Sequence, residues 1–295
     1  MESSRRIAGV ALSAADQGLV VELFDGGGRR GLGAVVGADL AAAKTLAEGM
    51  IGQDPGGWAG RWFRFRGDAS ASAAMGALEM AAQDLWARGL GRPLYELWGG
   101  ALRRRIEAAP TAVAAADWRK AANVIAAAER PGLRLILTAP VAVNETGDFA
   151  RTVDGLGLAY VVDGPFGCRT PIAWRRALSR IELVAAGLKQ GALQVMLLDP
   201  AAVGGPGGFR RLAALAQAFQ VAIAPACRGD LFGIDLAQAL HFAAATPEAT
   251  QGLHCDRGTP AEEMALPEGA GLGVDPDPAA IAGFARTRLK LGAVA

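Results

Sequence analysis

Hydrophobic and polar positions along the chain follow one pattern up to about residue 106 and a different pattern after it. The stretch LVVELFDGGGRRGLGAVVG at 19–37 holds two β-rich runs around a glycine-rich turn, which is typical of a hairpin. Residues 38–52 have helical propensity, and 71–90 carry one apolar stripe at three- and four-residue steps, so two helices are predicted. The stripe consists of Met75, Leu78, Ala82, Leu85 and Trp86. The first part is therefore predicted to be an α+β unit.

After about residue 106, short apolar runs alternate with alanine-rich helical stretches such as DWRKAANVIAAAER and GFRRLAALAQAF. The runs do not alternate apolar with polar residues, which is typical of a parallel sheet covered on both faces. About seven runs favour a barrel, and the pattern alone leaves a doubly wound sheet open. The candidate strands are 107–113, 133–138, 158–163, 171–174, 193–198, 220–225 and 250–254.

Composition and charge narrow the class of protein. The chain has 295 residues, 52% of them hydrophobic, and a net charge of +1, which gives no electrostatic support for a nucleic-acid or membrane partner. No apolar run reaches the roughly 18–20 residues of a membrane span. Asp16 and Gln17 interrupt the N-terminal apolar stretch, so no secretory signal is predicted. A cytoplasmic homo-oligomer is expected.

Cysteines and histidines are few and widely spaced. Cys168, Cys227 and Cys255 contain no CxxC pair, so neither a disulfide framework nor a zinc ribbon is predicted. His241 and His254 cannot form a His-rich metal site, so a hard cation would need oxygen ligands.

Three stretches carry a family resemblance in the same order along the chain. They are AAMGALEMAAQDLWARGLGRPLYELWGG at 73–100, LQVMLLDPAAVGGPGGFRRLAALAQAFQVAIAPAC at 193–227 and GLGVDPD at 271–277. Together they resemble the enolase superfamily, in its mandelate racemase, muconate lactonizing enzyme and o-succinylbenzoate synthase branches. The resemblance implies an α+β capping domain and a modified TIM-type (β/α) barrel. The domains are expected at 1–102, completed by 268–295, and at 103–267.

The barrel is expected to lack one β/α unit, because the family's Lys-x-Lys strand has no counterpart before RLILTAP. The resemblance also implies proton abstraction next to a carboxylate, with Mg²⁺ stabilising the product. Of three ligand positions, the first falls on Thr138 and Pro140, the second on Asp163, and the third on Arg175 and Arg176. A guanidinium beside one remaining carboxylate repels a cation, so no metal and no other cofactor is expected.

The positions of proton-transferring groups are also changed. Asp199 in LLDPAAVGG replaces a lysine of the family, Cys227 in APAC replaces a histidine, and Ala34 in GLGA replaces a glutamate. Cys227 could be a nucleophile, although a lone cysteine near apolar residues is more often a small core residue. His254 in GLHCDRG ends the last candidate strand beside Asp256, so it is expected at the mouth of the barrel, where a structural hydrogen-bonding role is favoured.

Two features suggest anion binding. Arg175 is expected to replace the metal, with its guanidinium paired to Asp163 or another acid such as Asp199; the alternative is a solvated arginine at a helix start. The loop VGGPGG could hold an anion on the N–H groups of Gly204 and Gly205, or it could be a tight strand-to-helix turn, which the family context favours.

Three functions stay open at this point. The first is a divergent superfamily member that has lost Mg²⁺-dependent chemistry and acts as a non-catalytic binding or scaffolding protein, with a small carboxylate or other anion as its expected ligand. The second is a metal-independent isomerase or lyase, in which Arg175 stabilises an enolate and Asp163, Asp199, Cys227 or His254 transfers the proton. The third is a conventional racemase or cycloisomerase.

Overall fold

The computed structural model describes most of the chain, with the elements in the predicted order. The described residues are 5–57, 68–109, 112–128, 132–165, 167–175, 178, 180–229, 231–257 and 261–294. Among them, no helix combines the length and the hydropathy that crossing a membrane requires. Arg176, whose side chain is expected to point away from the mouth, lies outside the described residues.

The first sheet is antiparallel and joins the N-terminal strands to a strand near the C-terminus. Its strands are β1 (Ile7–Ala15), β2 (Gly18–Asp25), β3 (Arg30–Val35) and β13 (Thr287–Gly292). The order β13-β1-β2-β3 places β1 between β2 and β13. The hairpin predicted around the glycine-rich turn is confirmed as the β2–β3 pair. Asp25 stabilises that turn, because its Oδ1 accepts the N–H groups of Gly27 and Arg29 at 2.9 Å.

Two helices, α1 (Leu40–Glu48) and α2 (Ala69–Leu90), pack against this sheet, which confirms both helix predictions. The carboxylate of Asp68 accepts a backbone N–H in the first turn of α2 and caps the helix. Gly33 in β3 allows the close approach of α2, since a Cβ there would lie 2.0 Å from the carbonyl oxygen of Ala77. The predicted stripe on α2 is buried except at Trp86, which is 38% exposed.

The second sheet consists of parallel strands. They are β5 (Ala112–Ala115), β6 (Arg134–Leu137), β7 (Tyr160–Val162), β8 (Ile172–Trp174), β9 (Val195–Leu198), β10 (Ala222–Cys227) and β11 (His254–Cys255). Their order, β11-β10-β9-β8-β7-β6-β5, follows the sequence without a crossover. A curled sheet of seven parallel strands in sequence order fits a modified TIM-type barrel.

A short antiparallel pair, β4 (Arg105–Glu107) and β12 (Glu263–Ala265), lies beside the parallel sheet. Ala108, just after β4, forms an isolated parallel bridge with Leu253, just before β11. The predicted strand 107–113 therefore corresponds to the end of β4 and the start of β5. The other predicted strands of the second part each overlap one observed strand.

Helices follow most of the parallel strands. They are α4 (Trp118–Ala128), α5 (Thr146–Val153), α6 (Ile181–Lys189), α7 (Gly205–Phe219) and α8 (Ile234–Ala245), preceded by α3 (Leu94–Leu97) and followed by α9 (Pro278–Phe284). Side chains alternate along β6: Leu135 and Leu137 pack with the helices, whereas Ile136 packs with residues of the inner face such as Tyr160 and Ala224. The described residues between β7 and β8 form no helix.

Asp84 on α2 joins three parts of the fold. Its Oδ2 accepts the backbone N–H of Leu32 in β3 at 2.8 Å and the Nε–H of Arg88 at 2.9 Å. Its Oδ1 accepts the backbone N–H of Leu272 at 2.6 Å. The Asp84 side chain is fully buried, so these three N–H donors replace water around a carboxylate.

Candidate functional site

A network of polar side chains lies at the mouth of the barrel, by which we mean the C-terminal ends of the parallel strands. Asp256, directly after β11, is at its centre. Its Oδ1 lies 2.9 Å from Nε2 of His254 and 3.4 Å from Nη1 of Arg175, and its Oδ2 lies 2.8 Å from Nη1 of Arg228. One carboxylate thus contacts two guanidinium groups and an imidazole.

Arg134, the first residue of β6, extends this network into the interior of the sheet. Its side chain is buried, its Nη1 lies 2.9 Å from Nδ1 of His254, and the same nitrogen donates to the hydroxyl of Tyr160 at 3.2 Å. The guanidinium carbon also lies 5.7 Å from the Tyr160 ring centroid, within the range of a cation–π interaction. Ala112 and Ala114 on the neighbouring β5 line the same space and leave room for the guanidinium.

These contacts assign the tautomer of His254. A guanidinium can only donate, so the Nδ1 atom that faces Arg134 accepts. The ring proton then lies on Nε2, which donates to Asp256. Because both ring nitrogens have partners, His254 can take a proton from a ligand only by breaking one of these bonds. The arrangement favours a positioning role for His254.

The pKa of Asp256 is set by opposing effects. Desolvation alone would raise it, but the hydrogen bond from His254 and the positive charges of Arg228 and Arg175 hold the pKa below its usual range. Asp256 is therefore ionised at neutral pH. Its single charge does not balance those of Arg134, Arg175 and Arg228, so the network has a net positive charge.

Arg175 lies at the mouth, and its guanidinium contacts an acid that the prediction did not name. Its backbone N–H, and not its guanidinium, donates to Oδ1 of Asp163 at 3.0 Å. The guanidinium contacts Asp256 at 3.4 Å. The guanidinium was expected to pair with Asp163 or another acid such as Asp199, and the acid that it contacts is Asp256, because the strand end turns the Arg175 side chain across the mouth towards β11.

Two adjoining cavities open beside this network. The larger has a volume of about 540 Å³ and is also lined by Arg134, Thr138 and Cys255. The smaller has a volume of about 280 Å³ and is also lined by Asp199 and Cys227. The first volume is in the range of small-molecule sites, which hold roughly 300–1,000 Å³. Four residues line both cavities: Arg175, Arg228, His254 and Asp256.

Asp199 combines partial burial with a position in the smaller cavity. Its Oδ1 accepts the backbone N–H groups of Ala201 at 3.1 Å and Ala202 at 3.3 Å. Desolvation raises the pKa of Asp199 to about 6; the negative charge of Asp235 adds to the effect, and the backbone hydrogen bonds and Arg228 oppose it. A carboxyl group with a pKa near neutrality is suited to proton transfer.

Cys227, the last residue of β10, lies beside Cys255 of β11. Their Sγ atoms are 2.7 Å apart, and both side chains are buried. The hydrogen bond between the thiols and the burial raise the pKa of Cys227, so it remains protonated at neutral pH. The site thus disfavours Cys227 as a nucleophile.

Gly204 and Gly205 lie at the start of α7, where the structure places them against α2. A Cβ on Gly205 would lie 2.8 Å from the carbonyl oxygen of Gly76, so the two helices approach closely here. The carboxyl group of Glu79 accepts the backbone N–H of Gly207 at 3.1 Å. Because the chain's own carboxyl group fills this position, the glycines serve helix packing, and the anion-binding role expected of them finds no support.

The residues at the mouth do not fit the Mg²⁺ that the resemblance implies. Mg²⁺ takes oxygen ligands, carboxylates above all. Across the part of the chain that the structure describes, no group of three or more His, Cys, Asp or Glu side chains could hold a metal ion. Arg134, Arg175 and Arg228 line the larger cavity instead, and their charges repel a cation.

Sequence reasoning did not identify Arg134, Tyr160, Arg228 and Cys255 as part of the site. Arg134 had a detectable signal, since a lone arginine opens the otherwise apolar run RLILT, and such a residue in a buried strand needs polar partners. Tyr160 and Arg228 had no such signal, because Tyr160 resembles a core residue and Arg228 resembles a solvated one.

Comparison with known proteins identifies structures that have the same fold. A family model described as enolase C-terminal domain-like matches residues 152–280. No curated protein matches the chain in sequence. Among solved structures, L-talarate dehydratase from Polaromonas sp. JS666, complexed with Mg and L-glucarate, is similar to the chain with a TM-score of 0.79 and 19% identity, covering 98% of this chain and 99% of that one.

Two further structures have the same fold. A mandelate racemase/muconate lactonizing enzyme from Polaromonas sp. JS666 has a TM-score of 0.79 at 19% identity, covering 98% of this chain and 99% of that one. A muconate cycloisomerase from Azorhizobium caulinodans has a TM-score of 0.76 at 19% identity, covering 95% and 97%. At such identities these likenesses concern the fold. Together with the family match over residues 152–280, they support the resemblance of the chain to the enolase superfamily.

Proposed function

We propose that this protein is a divergent member of the superfamily that binds a small carboxylate or other anion at the barrel mouth without Mg²⁺. The observation that carries the proposal is the convergence of Arg134, Arg175 and Arg228 on a cavity of about 540 Å³ with Asp256 as the ionised carboxylate among its lining residues. Guanidinium groups bind carboxylates and phosphates through paired N–H bonds, so a surplus of them favours an anionic ligand.

In this proposal Asp256 competes with the anionic ligand for the guanidinium groups of Arg175 and Arg228. It engages Arg228 at 2.8 Å and Arg175 at 3.4 Å, which are the two guanidinium groups that line both cavities. An incoming anion has to share or displace these contacts. Removing the charge of Arg228 and removing the charge of Asp256 should therefore change anion affinity in opposite directions.

The proposal is tested by calorimetric titration of the full chain with inorganic phosphate and with L-glucarate in the presence of EDTA. We expect Arg228→Gln to weaken binding at least about tenfold and Asp256→Asn to strengthen it, because charge-assisted hydrogen bonds contribute on the order of 1.5–3 kcal/mol. Arg92→Gln, in which an exposed arginine far from the cavities is changed, is the matched control. Equal loss in the Arg228 and Asp256 variants, or no binding of either probe, contradicts the proposal.

Calorimetric titration of the protein with MgCl₂ or MnCl₂ in buffer without EDTA tests the loss of the metal site. Neither Mg²⁺ nor Mn²⁺ should bind at micromolar affinity, because the guanidinium groups of Arg134, Arg175 and Arg228 line the larger cavity and repel a cation. Stoichiometric binding of either ion that disappears in Asp163→Ala would show that Asp163 still belongs to a metal site.

A second candidate function is metal-independent proton transfer. The observation that favours it is Asp199, whose pKa of about 6 suits a base and which lines a cavity with Arg175. In this reaction Asp199 takes the proton next to the carboxylate of the substrate, and Arg175 stabilises the enolate. Exchange of that proton with solvent deuterium, in EDTA and lost in Asp199→Asn, would distinguish this enzyme from a binding protein.

We also propose the finer division of the fold. Residues 1–102 with 268–295 form a capping domain, and 103–267 form a barrel that lacks one β/α unit. The seven parallel strands and the bridge between Ala108 and Leu253, which links the first and last parts of the barrel, support this division. A cytoplasmic location and a homo-oligomeric state are proposed on the sequence alone.

A further inference from the structure

The cysteine pair at the mouth has a geometry that the sequence did not predict. β10 and β11 are parallel neighbours in which Cys227 stands directly opposite Cys255. The two residues are 28 positions apart along the chain, and their Sγ atoms lie 2.7 Å apart on the same side of the sheet. Both are free thiols in the structure.

This arrangement is close to that of a disulfide. Opposite residues on neighbouring strands have Cα atoms about 4.8 Å apart, and disulfides span Cα distances of about 4.4–6.8 Å. The sulfur atoms need to move by well under about 1 Å to reach the S–S bond length of about 2.05 Å. The backbone of the two strands can therefore stay in place when the bond forms.

Both thiols are buried on the side of the sheet that packs against α8, so an oxidant reaches them only when the ends of β10 and β11 open. Cys255 borders the larger cavity and Cys227 the smaller one, which brings the mouth close to the pair. Because the pKa of Cys227 is raised, the thiolate that starts an exchange is scarce at neutral pH. Oxidation is therefore slow at neutral pH and faster in alkaline solution.

We propose that Cys227 and Cys255 form a reversible disulfide that joins β10 to β11 at the mouth of the barrel. The oxidant is a low-molecular-weight disulfide such as oxidised glutathione. The thiolate of one cysteine attacks a sulfur of the oxidant and releases one glutathione thiolate. The thiolate of the other cysteine then attacks the mixed disulfide and releases the second, and the two glutathione thiolates take up the two protons that the cysteines lose.

The pair is well placed to act on the site, because Cys255 lies between His254 and Asp256 in the chain. These neighbours contact Arg134 and Arg228, so a new bond at Cys255 constrains the residues that position the guanidinium groups. This effect on anion binding rests on the proposed function. The disulfide itself rests on the strand register and the sulfur distance, and it would form in a protein that binds no anion.

Thiol counting tests the proposal on the folded full chain. The protein is incubated at about pH 8.5 with reduced or with oxidised glutathione, denatured, alkylated and measured by mass spectrometry. The chain has three cysteines, so we expect three alkylated thiols after the reducing incubation, and after the oxidising one no alkylation at Cys227 or Cys255, with Cys168 either alkylated or carrying glutathione. Peptide mapping should find Cys227 joined to Cys255.

Cysteine variants and the melting temperature test the same disulfide. Cys168→Ala, the matched control, should still lose two thiols on oxidation, whereas Cys255→Ala should retain a thiol or a glutathione adduct at Cys227. Oxidation should also raise the Tm of the wild type by on the order of 5 °C, since the bond closes a long loop. Full alkylation of Cys227 and Cys255 after oxidation, or glutathione adducts at both without a cross-link, overturns the proposal. Failure of phosphate binding leaves this result unchanged.

Discussion

Asp84→Ala should lower the free energy of unfolding by about 3–5 kcal/mol, because it leaves a buried guanidinium contact and two backbone N–H groups without their acceptor. The three donors come from Leu32, Arg88 and Leu272, which belong to the first sheet, to α2 and to the segment that precedes α9. The change therefore weakens a contact between parts of the chain that are distant in sequence. Urea unfolding followed by circular dichroism measures the loss.

The matched control is Asp275→Ala. Asp275 also contacts Arg88, at 3.7 Å, and Arg30, at 2.6 Å, but its side chain is 70% exposed. Exposed ion pairs contribute about 0–1 kcal/mol, so the control should be nearly as stable as the wild type. Similar losses in the two variants would show that the stabilisation comes from the charge of Arg88 and not from the buried N–H donors.

Glu79→Gln should abolish a pH dependence of stability on the order of 3 kcal/mol between about pH 5 and about pH 9. Burial raises the pKa of Glu79 from 4.5 to about 8, although the N–H of Gly207 and the charge of Arg210 oppose the shift. The folded state thus binds this proton more tightly than the unfolded state. Its contribution to stability is complete below pH 4.5 and is lost as the pH rises through about 8.

Glutamine keeps an acceptor for Gly207 and has no proton to lose, so the variant should be more stable than the wild type at about pH 9 and similar to it at about pH 5. Urea unfolding across this range measures the difference. Glu48→Gln, a change of an exposed glutamate on α1, should leave the profile of the wild type unchanged. Parallel profiles for the wild type and Glu79→Gln would show that Glu79 is ionised in the folded protein.

The fold was predictable from the sequence because its signals are local and repeated. The β2–β3 hairpin followed from the glycine-rich turn, and the parallel strands followed from apolar runs between alanine-rich helices. The antiparallel partner of β1 was not predictable, because β13 carries the mixed sequence TRLKLG and is half-exposed along its length. Its pairing depends on a long-range contact that no local pattern encodes.

The site was predictable only in part. The sequence indicated that Arg175, Asp199, Cys227 and His254 stand at strand ends, and the structure places them around adjoining cavities. The sequence did not indicate which arginine pairs with which acid. A shift of one residue in strand register, or a different turn geometry, moves a guanidinium from one acid to another. The pairing of Arg175 with Asp256 rather than with Asp163 is such a case.

The position of β1 between β2 and β13 has a consequence for biogenesis. During synthesis the edge of β1 that faces β13 stays open while the parallel strands are translated, since its partner Thr287–Gly292 follows them in the chain. An open edge with unpaired N–H and C=O groups can pair with a strand of another chain. Contacts of such sequence separation also form slowly. A nascent chain therefore carries an unprotected edge until β13 is made, and pairing with β13 closes it.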